Sequence, residues 1–253
     1  MLRSRIIPCL LVHNKGLVKT VKFKDSKYVG DPINAVKIFN EKEVDELMVL
    51  DIDATREGRA PNFEMIKNLA DECRMPFCYG GGISTVNEAK KIISLGAEKV
   101  ALSNTALSNI SLCLEIGEVI GMQSVVVVID VKKRKLFGGY DIYTHNGTKK
   151  SKWNLDDFIN KLEEVEVGEI VINSIDNDGM MQGYDIKLVE LIRSRCSMPI
   201  TVLGGASSLF DIKELISKFK IIGAAAGSLF VFKGKYKAVL ISYPNREERK
   251  RLY

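Results

Sequence analysis

The sequence predicts a single (β/α)8 (TIM) barrel, and three observations support that prediction. Eight short apolar runs recur along the 253 residues, and each ends in small or polar residues. Most of these runs are separated by segments with helical periodicity, such as "NFEMIKNLADEC" and "VNEAKKIISLGA". Continuous apolar runs are typical of buried parallel strands, which alternate with amphipathic helices in βα units. Eight such units in about 250 residues match the count and the size of this barrel.

The apolar runs predict strands 1 to 8 in chain order, with helical segments between most of them. A turn-forming Asn146-Gly147 pair predicts an excursion of the chain after strand 5. The predicted strands cover residues 6–12, 46–52, 76–82, 99–105, 124–130, 169–175, 199–205 and 221–227.

The sequence also repeats itself at a fixed offset of 123 positions. "DELMVLDID" from Asp45 resembles "GEIVINSID" from Gly168, and "MPFCYGGGIST" from Met75 resembles "MPITVLGGASS" from Met198. "SNTAL" and "AGSLF" fall opposite each other at the same offset. The repeat predicts two similar half-barrels, about residues 1–122 and 123–253. No Pro-rich or Ser-rich linker lies near residue 120, so we expect one domain over residues 1–253.

Composition and charge exclude several classes of function. The net charge is +5, but the basic residues lack the aromatic–basic interleaving that favours nucleic-acid binding. No apolar span approaches the roughly 18 residues that a membrane helix needs, and no N-terminal stretch fits a signal peptide. Five cysteines without a CxxC pair and two distant histidines predict reduced thiols and no metal site. We therefore expect a cytoplasmic protein with no metal, cofactor, nucleic-acid partner or membrane partner.

Small residues follow the predicted strands in two matching places. Gly80-Gly81-Gly82 and Ser103-Asn104-Thr105 end strands 3 and 4, while Gly204-Gly205 and Gly227-Ser228 end strands 7 and 8. Glycines and hydroxyls let a phosphate approach backbone N–H groups. Glycines also make tight βα turns, and that alternative stays open for each one alone. The repeated pattern predicts two phosphate sites that face each other across the mouth, and a ligand with a phosphate at each end.

Three kinds of residue near the predicted mouth are candidates for acid–base chemistry or anion binding. Asp130 ends strand 5 directly after an apolar run, which favours a catalytic carboxylate over a structural salt bridge. Lys19, in the loop after strand 1, either meets a ligand anion or is solvated. His13 and His145 lie in loops, where lone histidines are usually solvated.

Four charged residues begin predicted strands at the opposite end of the barrel. Arg5, Glu46, Lys99 and Glu169 begin strands 1, 2, 4 and 6. Arg5 shares strand parity with Cys9 and Leu11, so it should point into the barrel. Two cations and two anions there could close a salt-bridged ring, because buried charges are costly unless they are paired. Such a ring is either a structural plug or a gate.

Six stretches of the sequence resemble the cyclase subunit of imidazole glycerol phosphate synthase. The similarity covers roughly residues 3–235, and its motifs are specific. The resemblance implies a barrel of two half-barrels whose substrate is a ribulosyl-aminoimidazole with two phosphates. The stretches are "RIIPCLLV", "DELMVLDIDA", "PFCYGGGIS", "VVVVIDVKK", "GEIVINSIDNDGMMQGYD" and "PITVLGGASS".

The resemblance also implies that ammonia comes from a second protein. In this family a partner glutaminase docks at the bottom of the barrel, and ammonia travels through the barrel core to the mouth. This chain lacks a glutaminase of its own, because Cys78 has no Gly-x-Cys-x-Gly elbow around it. We therefore expect a heterodimer. The residues that match the family's ammonia gate are Arg5, Glu46, Lys99 and Glu169.

Roles for the mouth residues follow from the same resemblance. Asp130 matches one of the family's two catalytic aspartates, and Lys19 matches a loop lysine that meets substrate. Gly82, Asn104 and Thr105 match one phosphate site. The residues that match the other phosphate site are Gly179, Gly205, Gly227 and Ser228.

Leu11 departs from the family, because it occupies the position of the second catalytic aspartate. The family reads Cys-Leu-Asp-Val where this chain reads Cys9-Leu10-Leu11-Val12. A positioned acid–base group is worth about 10²–10⁴ in rate, and leucine transfers no protons. Leu203 is a second departure, which would narrow the mouth. Either another group substitutes, with Asp51, Asp53 or His13 as candidates, or the cyclase chemistry is impaired.

Four functions remain open. The chain is similar to family variants encoded with surface-polysaccharide (O-antigen, lipopolysaccharide) genes, which implies ammonia delivery to a separate sugar amidotransferase. The alternatives are an active cyclase–lyase of histidine biosynthesis, a related sugar isomerase, and a non-catalytic scaffold barrel for a glutaminase. The isomerase alternative is the weakest of these, because it also uses an aspartate at the end of strand 1 and leaves the charged ring unexplained.

Overall fold

The computed structural model describes residues 3–136 and 138–253, and it confirms the closed eight-stranded parallel barrel. Each strand pairs in parallel with the next, and the eighth pairs with the first to close the barrel. The strands are β1 (Arg5–His13), β2 (Leu47–Asp51), β3 (Phe77–Gly80), β4 (Lys99–Leu102), β5 (Val125–Lys133), β6 (Glu169–Ser174), β7 (Ile200–Leu203) and β8 (Gly223–Ala226).

Several barrel strands are shorter than the apolar runs that predicted them. The ladder ends at Gly80 on β3 and at Leu102 on β4, so Gly82, Asn104 and Thr105 lie beyond the strands. Asn104 begins a helix instead. Strand β5 differs in the other direction and runs on to Lys133, because an antiparallel partner extends its ladder. Most of the phosphate-site candidates therefore lie beyond the C-terminal ends of the barrel strands, in loops or in the first turns of helices.

Helices occupy the connections between the barrel strands and shield their outer faces. Alternate side chains of β1, such as Ile6 and Leu10, belong to the cluster packed between the barrel and its helices. The helices are α1 (Pro32–Glu41), α2 (Ala54–Glu57), α3 (Phe63–Glu72), α4 (Val86–Ser94), α5 (Asn104–Ser108), α6 (Ser111–Ile120), α7 (Leu155–Val165), α8 (Ile186–Arg193), α9 (Leu209–Phe219), α10 (Ser228–Val231) and α11 (Arg246–Lys250), with a 3-10 turn at Met122–Ser124.

Helix start signals recur at the offset of the sequence repeat. Thr85 begins α4 with a capping box, and Ser208 begins α9 with another, 123 positions later. Asn62 caps α3 through its side chain, and Asp185 caps α8 in the same way at the same offset. Each cap satisfies backbone N–H groups that the first helical turn leaves free. The same kind of helix cap therefore recurs at the offset of the repeat, and the half-barrel boundaries stay a prediction.

Two hairpins rise from the barrel at its C-terminal end. The first follows β1 and consists of Gly16–Val21 and Lys24–Gly30. The second follows β5, where the excursion was expected, and consists of Tyr140–Thr144 and Lys149–Lys150. A third pair, Phe232–Lys233 with Ala238–Val239, lies near the end of the chain. The first two hairpins place side chains over the mouth.

The interior of the barrel is apolar between its two ends. Inward-facing side chains there form a cluster separate from the outer core. The interior cluster consists of Ile7, Cys9, Met48, Cys78, Ala101, Val126, Val128, Val171, Leu203 and Ala225, with Leu11 and Leu50 packed against it.

No helix of the described residues has both the length and the apolar character to cross a membrane.

Candidate functional site

The four charged residues at the N-terminal end of the strands form one closed ring of ion pairs. Arg5 donates to Glu46 and, over 2.7 Å, to Glu169. Lys99 donates over 2.9 Å to each of the same two carboxylates. Each cation thus contacts both anions and each anion both cations. The carboxylates are almost fully buried, with 3% exposure for Glu46 and 4% for Glu169.

Electrostatics within the ring favour the charged forms of Glu169 and Lys99. Burial opposes the charged form of Glu169, but Arg5 and Lys99 lower the pKa of its carboxyl below the ordinary value. Thr201 adds a hydrogen bond from its hydroxyl to Glu169. Burial likewise opposes the charge on Lys99, yet the two carboxylates raise its pKa. Removal of one member would leave the ring with one charge in excess, which is destabilising because the remaining charges are no longer balanced.

At the other end, one cavity fills the mouth of the barrel and is lined by residues from all eight barrel strands. Every residue that matches the family's mouth lines this cavity, whereas His13 and Asp53 do not. The structure therefore brings together Leu11, Lys19, Gly82, Asn104, Thr105, Asp130, Gly179, Leu203, Gly205, Gly227 and Ser228.

Asp130 lies in the mouth without a cation. Its carboxylate accepts a hydrogen bond of 2.9 Å from the Asn173 amide, and no ion pair within the described part of the chain includes it. Burial raises the pKa of Asp130 to about 7, although the Asn173 hydrogen bond lowers it. The structure thus contradicts the salt-bridge alternative. A carboxyl that titrates near neutral pH suits general acid–base work.

Lys19 is buried rather than solvated. It lies on a strand of the first hairpin instead of in a loop, and its ammonium donates to the Cys9 carbonyl. Burial lowers the pKa of Lys19, although the nearby Asp178 raises it. A Cβ on Gly227 would lie 2.2 Å from the Lys19 Nζ atom, so only glycine leaves room for the ammonium there. Lys19 therefore lies beside the loop after β8.

Asp178 is a buried carboxylate of the mouth that sequence reasoning did not select. It accepts hydrogen bonds from the Thr20 hydroxyl at 2.7 Å and from the Phe23 N–H at 3.1 Å. Burial raises its pKa, although those two donors and Lys19 lower it. The signal was present, since Asp178 directly precedes Gly179 at the end of a predicted strand. Its carboxylate holds the tip of the first hairpin over the mouth.

The loop glycines near the β3 and β4 ends have a packing reason as well as a binding one. Gly81 and Gly82 have φ of +119° and +75°. A Cβ on Gly82 would lie 2.6 Å from the Arg59 carbonyl. The Thr105 hydroxyl donates to the Ile83 carbonyl and ties α5 to the loop after β3. Gly81, Gly82 and Thr105 belong to one wall of the cavity, which is called the 3/4 cradle below.

The opposite wall, called the 7/8 cradle, is built in the same way. Gly204 and Gly205 have φ of +95° and +111°, and a Cβ on Gly205 would lie 2.0 Å from the Gly183 carbonyl. A Cβ on Gly179 would lie 2.0 Å from the Thr20 carbonyl. Gly227 and Ser228 complete this wall where α10 begins. Small residues on two sides let a phosphorylated ligand approach the backbone at both ends.

All three expected substitutes for the acid that Leu11 replaces have other partners. Asp51 accepts two hydrogen bonds from Arg59, at 2.8 and 3.0 Å, and one from each of two backbone N–H groups. The Asp53 carboxylate lies 2.7 Å from the His13 Nδ1 atom. Asp53 and His13 both lie outside the lining of the mouth cavity. Leu11 lines it beside Leu50. None of the three candidates occupies the place of a free carboxylate near Leu11.

A closed parallel barrel whose mouth gathers an unpaired carboxyl and two glycine-rich walls is a (β/α)8-barrel protein with its candidate active site at the C-terminal ends of the strands. Residues 5–237 match the model of the family described as "Histidine biosynthesis protein".

Three relatives illustrate the similarity. A protein of Vibrio vulnificus, named provisionally as a subunit of imidazole glycerol phosphate synthase, is 55% identical over 99% of this chain and 96% of its own length. A provisionally named HisF subunit of Leptospira borgpetersenii is 53% identical over the full length of both chains. The imidazole glycerol phosphate synthase subunit HisF of Streptococcus sanguinis is 39% identical over 91% of each. The chain therefore belongs to the histidine biosynthesis protein family, among the HisF-type subunits of imidazole glycerol phosphate synthase.

Proposed function

We propose that this chain is the ammonia-receiving barrel of a glutamine-dependent amidotransferase. A partner glutaminase would dock on the N-terminal face, where the charged ring lies. The observation that carries the proposal is the alignment of that ring with an apolar interior and an open mouth. Neutral ammonia crosses an apolar interior without the cost of an unpaired buried charge, whereas ammonium does not. Arg5, Glu46, Lys99 and Glu169 are then the gate.

We further propose that the final acceptor of the ammonia is a nucleotide-linked sugar of surface-polysaccharide biosynthesis. Leu11 favours this acceptor because leucine cannot transfer protons in a cyclase reaction. In this proposal the barrel passes ammonia to a separate sugar amidotransferase, and its own cyclase activity is impaired. The supporting observation is that Leu11 extends the apolar interior to the rim, together with Leu50 and Leu203. No acid stands opposite Asp130 on β1, so half of the family's acid–base pair is missing.

A second candidate is an active cyclase–lyase that makes imidazole glycerol phosphate in histidine biosynthesis. Two observations favour it. Both small-residue cradles line the mouth intact, and Asp130 keeps a pKa of about 7. The substrate would be the ribulosyl-aminoimidazole with two phosphates, bound with one phosphate in each cradle. Phosphate binding by Lys19, Gly82, Asn104, Thr105, Gly179, Gly205, Gly227 and Ser228 belongs to this proposal.

The experiment that separates these acceptors is turnover of the bis-phosphorylated ribulosyl-aminoimidazole with ammonium salt, by the wild type and by Leu11→Asp. Under sugar amidation, the wild type is nearly silent and Leu11→Asp gains on the order of 10²-fold, because a proton-transferring group is restored. Leu11→Asn is the matched control, since it is polar but cannot supply the acid. Efficient turnover by the wild type would instead establish the second candidate.

The gate is tested in the complete system of glutaminase, barrel and acceptor enzyme. The paired variant Glu46→Gln with Lys99→Met removes one buried charge of each sign, so no charge is left in excess. We expect glutamine hydrolysis to continue while more of the ammonia escapes into the medium, which a glutamate dehydrogenase assay measures. Lys90→Met, an exposed lysine of α4, is the control. Unchanged coupling in the paired variant would favour a scaffold without a channel.

A further inference from the structure

The turn of the second hairpin reaches across the mouth of the barrel. Tyr143 on this hairpin pairs with Asp130 of β5, so the chain returns to the rim beside that carboxyl. The turn that follows crosses toward β2, where the Asn146 side chain donates to the Ile52 carbonyl at 2.9 Å. Strands β2 and β5 are three positions apart in the closed ring of eight. The turn therefore passes between the two cradles, and His145 lies on it.

Most ionisable groups that line the mouth already have partners. Asp51 is saturated by Arg59 and backbone N–H groups, and Lys19 donates to the Cys9 carbonyl. Asp178 holds the first hairpin. The Cys9 thiol is fully buried, and burial raises its pKa to about 11. The two remaining ionisable groups that line the cavity are Asp130 and His145.

His145 lies partly buried at the mouth. Its Nδ1 atom lies 2.9 Å from the Thr144 hydroxyl, which holds the ring in place. The Nε2 atom makes no hydrogen bond within residues 3–136 and 138–253. The ring lines the same cavity as Asp130 and both cradles. His13, the other histidine of the chain, is bonded to Asp53 and does not line it.

We propose that His145 is a second proton-transferring residue of the mouth, which works with Asp130 on a phosphorylated ligand in place of the carboxylate that Leu11 replaces. This inference rests on the second candidate function, since it concerns chemistry at the mouth and not the passage of ammonia. It assigns a catalytic role to a hairpin residue rather than to a barrel strand.

The environments of the two groups give them complementary protonation. Burial and the Lys149 ammonium on the next hairpin strand lower the pKa of His145 below its ordinary value. Burial and the Asp178 carboxylate raise the pKa of Asp130 to about 7, against the Asn173 hydrogen bond. At neutral pH the imidazole is therefore a base without its proton, while much of the carboxyl is still an acid. Titratable groups whose pKa values are pushed apart in this way define acid and base roles.

The proton transfer balances without a cofactor. The lone pair on His145 Nε2 takes a proton from the ligand, and the electrons of the broken bond stay on the ligand. Asp130 gives its proton to a second atom of the ligand and becomes a carboxylate. The net charge of the ligand does not change. Water then removes the proton from the imidazolium and returns one to Asp130.

The test is ammonium-supported turnover of the bis-phosphorylated ribulosyl-aminoimidazole by His145→Asn, measured from pH 5.5 to pH 9. Asparagine suits the test because His145 has φ of +51°, and asparagine tolerates this left-handed conformation. We expect kcat to fall on the order of 10²-fold with little change in KM, and the acidic limb of the pH profile to disappear. His13→Asn, at the histidine outside the cavity, should match the wild type.

Two further variants sharpen the outcome. Leu11→Asp should restore turnover to His145→Asn, because a carboxylate on β1 supplies the missing group. An NMR titration should show the His145 ring with a pKa below its ordinary value, because burial and the Lys149 ammonium lower it. Equal turnover by His145→Asn and the wild type would overturn the inference, and so would a wild type that is wholly inactive on this substrate. Because ammonium is supplied directly, neither result bears on the ammonia channel, which the gate variants test separately.

Discussion

At the scale of single residues, Asp130 is a mouth carboxyl whose pKa the fold raises. Among the described residues it has one amide donor and no cation partner, and burial raises its pKa to about 7 from an ordinary value of 3.8. A raised pKa means that the folded protein binds a proton more tightly than the unfolded chain does. The contribution of Asp130 to stability is therefore best below pH 4, and it is lost as pH rises from about 4 to about 7.

Asp130→Asn should remove this pH dependence, because asparagine does not titrate. We expect the melting temperature of the variant, relative to wild type, to rise between pH 4 and pH 8. A pKa difference of one corresponds to about 1.4 kcal/mol, so the relative gain should amount to a few kcal/mol. Thermal denaturation at a series of pH values measures it. Asp141→Asn, at a carboxylate whose pKa salt bridges hold below its ordinary value, is the control and should show little pH-dependent change relative to wild type above about pH 5, because that carboxyl is ionised in both states there. A constant difference across the range would contradict the account.

Elements of the fold depend on short local signals, and α4 shows the clearest one. The Thr85 side chain accepts from the Glu88 N–H, while the Glu88 carboxylate accepts from the Thr85 N–H at 3.0 Å. Thr85→Ala removes the first of these bonds and leaves a helix N–H without a protein partner. We expect the free energy of unfolding to fall by about 1 kcal/mol, measured by urea denaturation. Ser94→Ala, at the other end of the same helix, should change it by much less.

Local signals also explain which parts of the fold and site could be predicted from sequence. Apolar runs located all eight barrel strands, and strand parity correctly placed Arg5 inside the barrel. Lys19 was assigned to a loop, but it lies buried on a hairpin strand. The sequence analysis did not predict this strand, because it is short and is not one of the eight apolar runs. His145 was expected to lie in a loop and to be solvated, and the structure leaves it partly exposed. It lines the mouth because Asn146 bonds a carbonyl 94 positions away in the sequence, a contact that no local pattern encodes.

At the scale of the whole molecule, each predicted half-barrel lacks strand partners that the other half supplies. Residues 1–122 contain β1 to β4, and residues 123–253 contain β5 to β8, so each half exposes two unpaired strand edges. The closed barrel pairs these edges at β4 with β5 and at β8 with β1. The charged ring is divided too, since Glu169 alone comes from the second half. Closing the barrel therefore pairs the open strand edges and completes the charged ring at the same time.

We accordingly expect fragments 1–122 and 123–253 to associate when they are produced separately and mixed. Each fragment alone should self-associate through its open edges, whereas the mixture should give a one-to-one complex with the circular dichroism spectrum of the intact chain. Size-exclusion chromatography and circular dichroism test this. Glu169→Gln in the second fragment should weaken the complex, because it leaves the cations of the first half undercompensated. A division at residue 160, within α7, is the matched control and should give no complex. If the control associates equally well, the halves are not structural units, and the repeat reflects only similar loops.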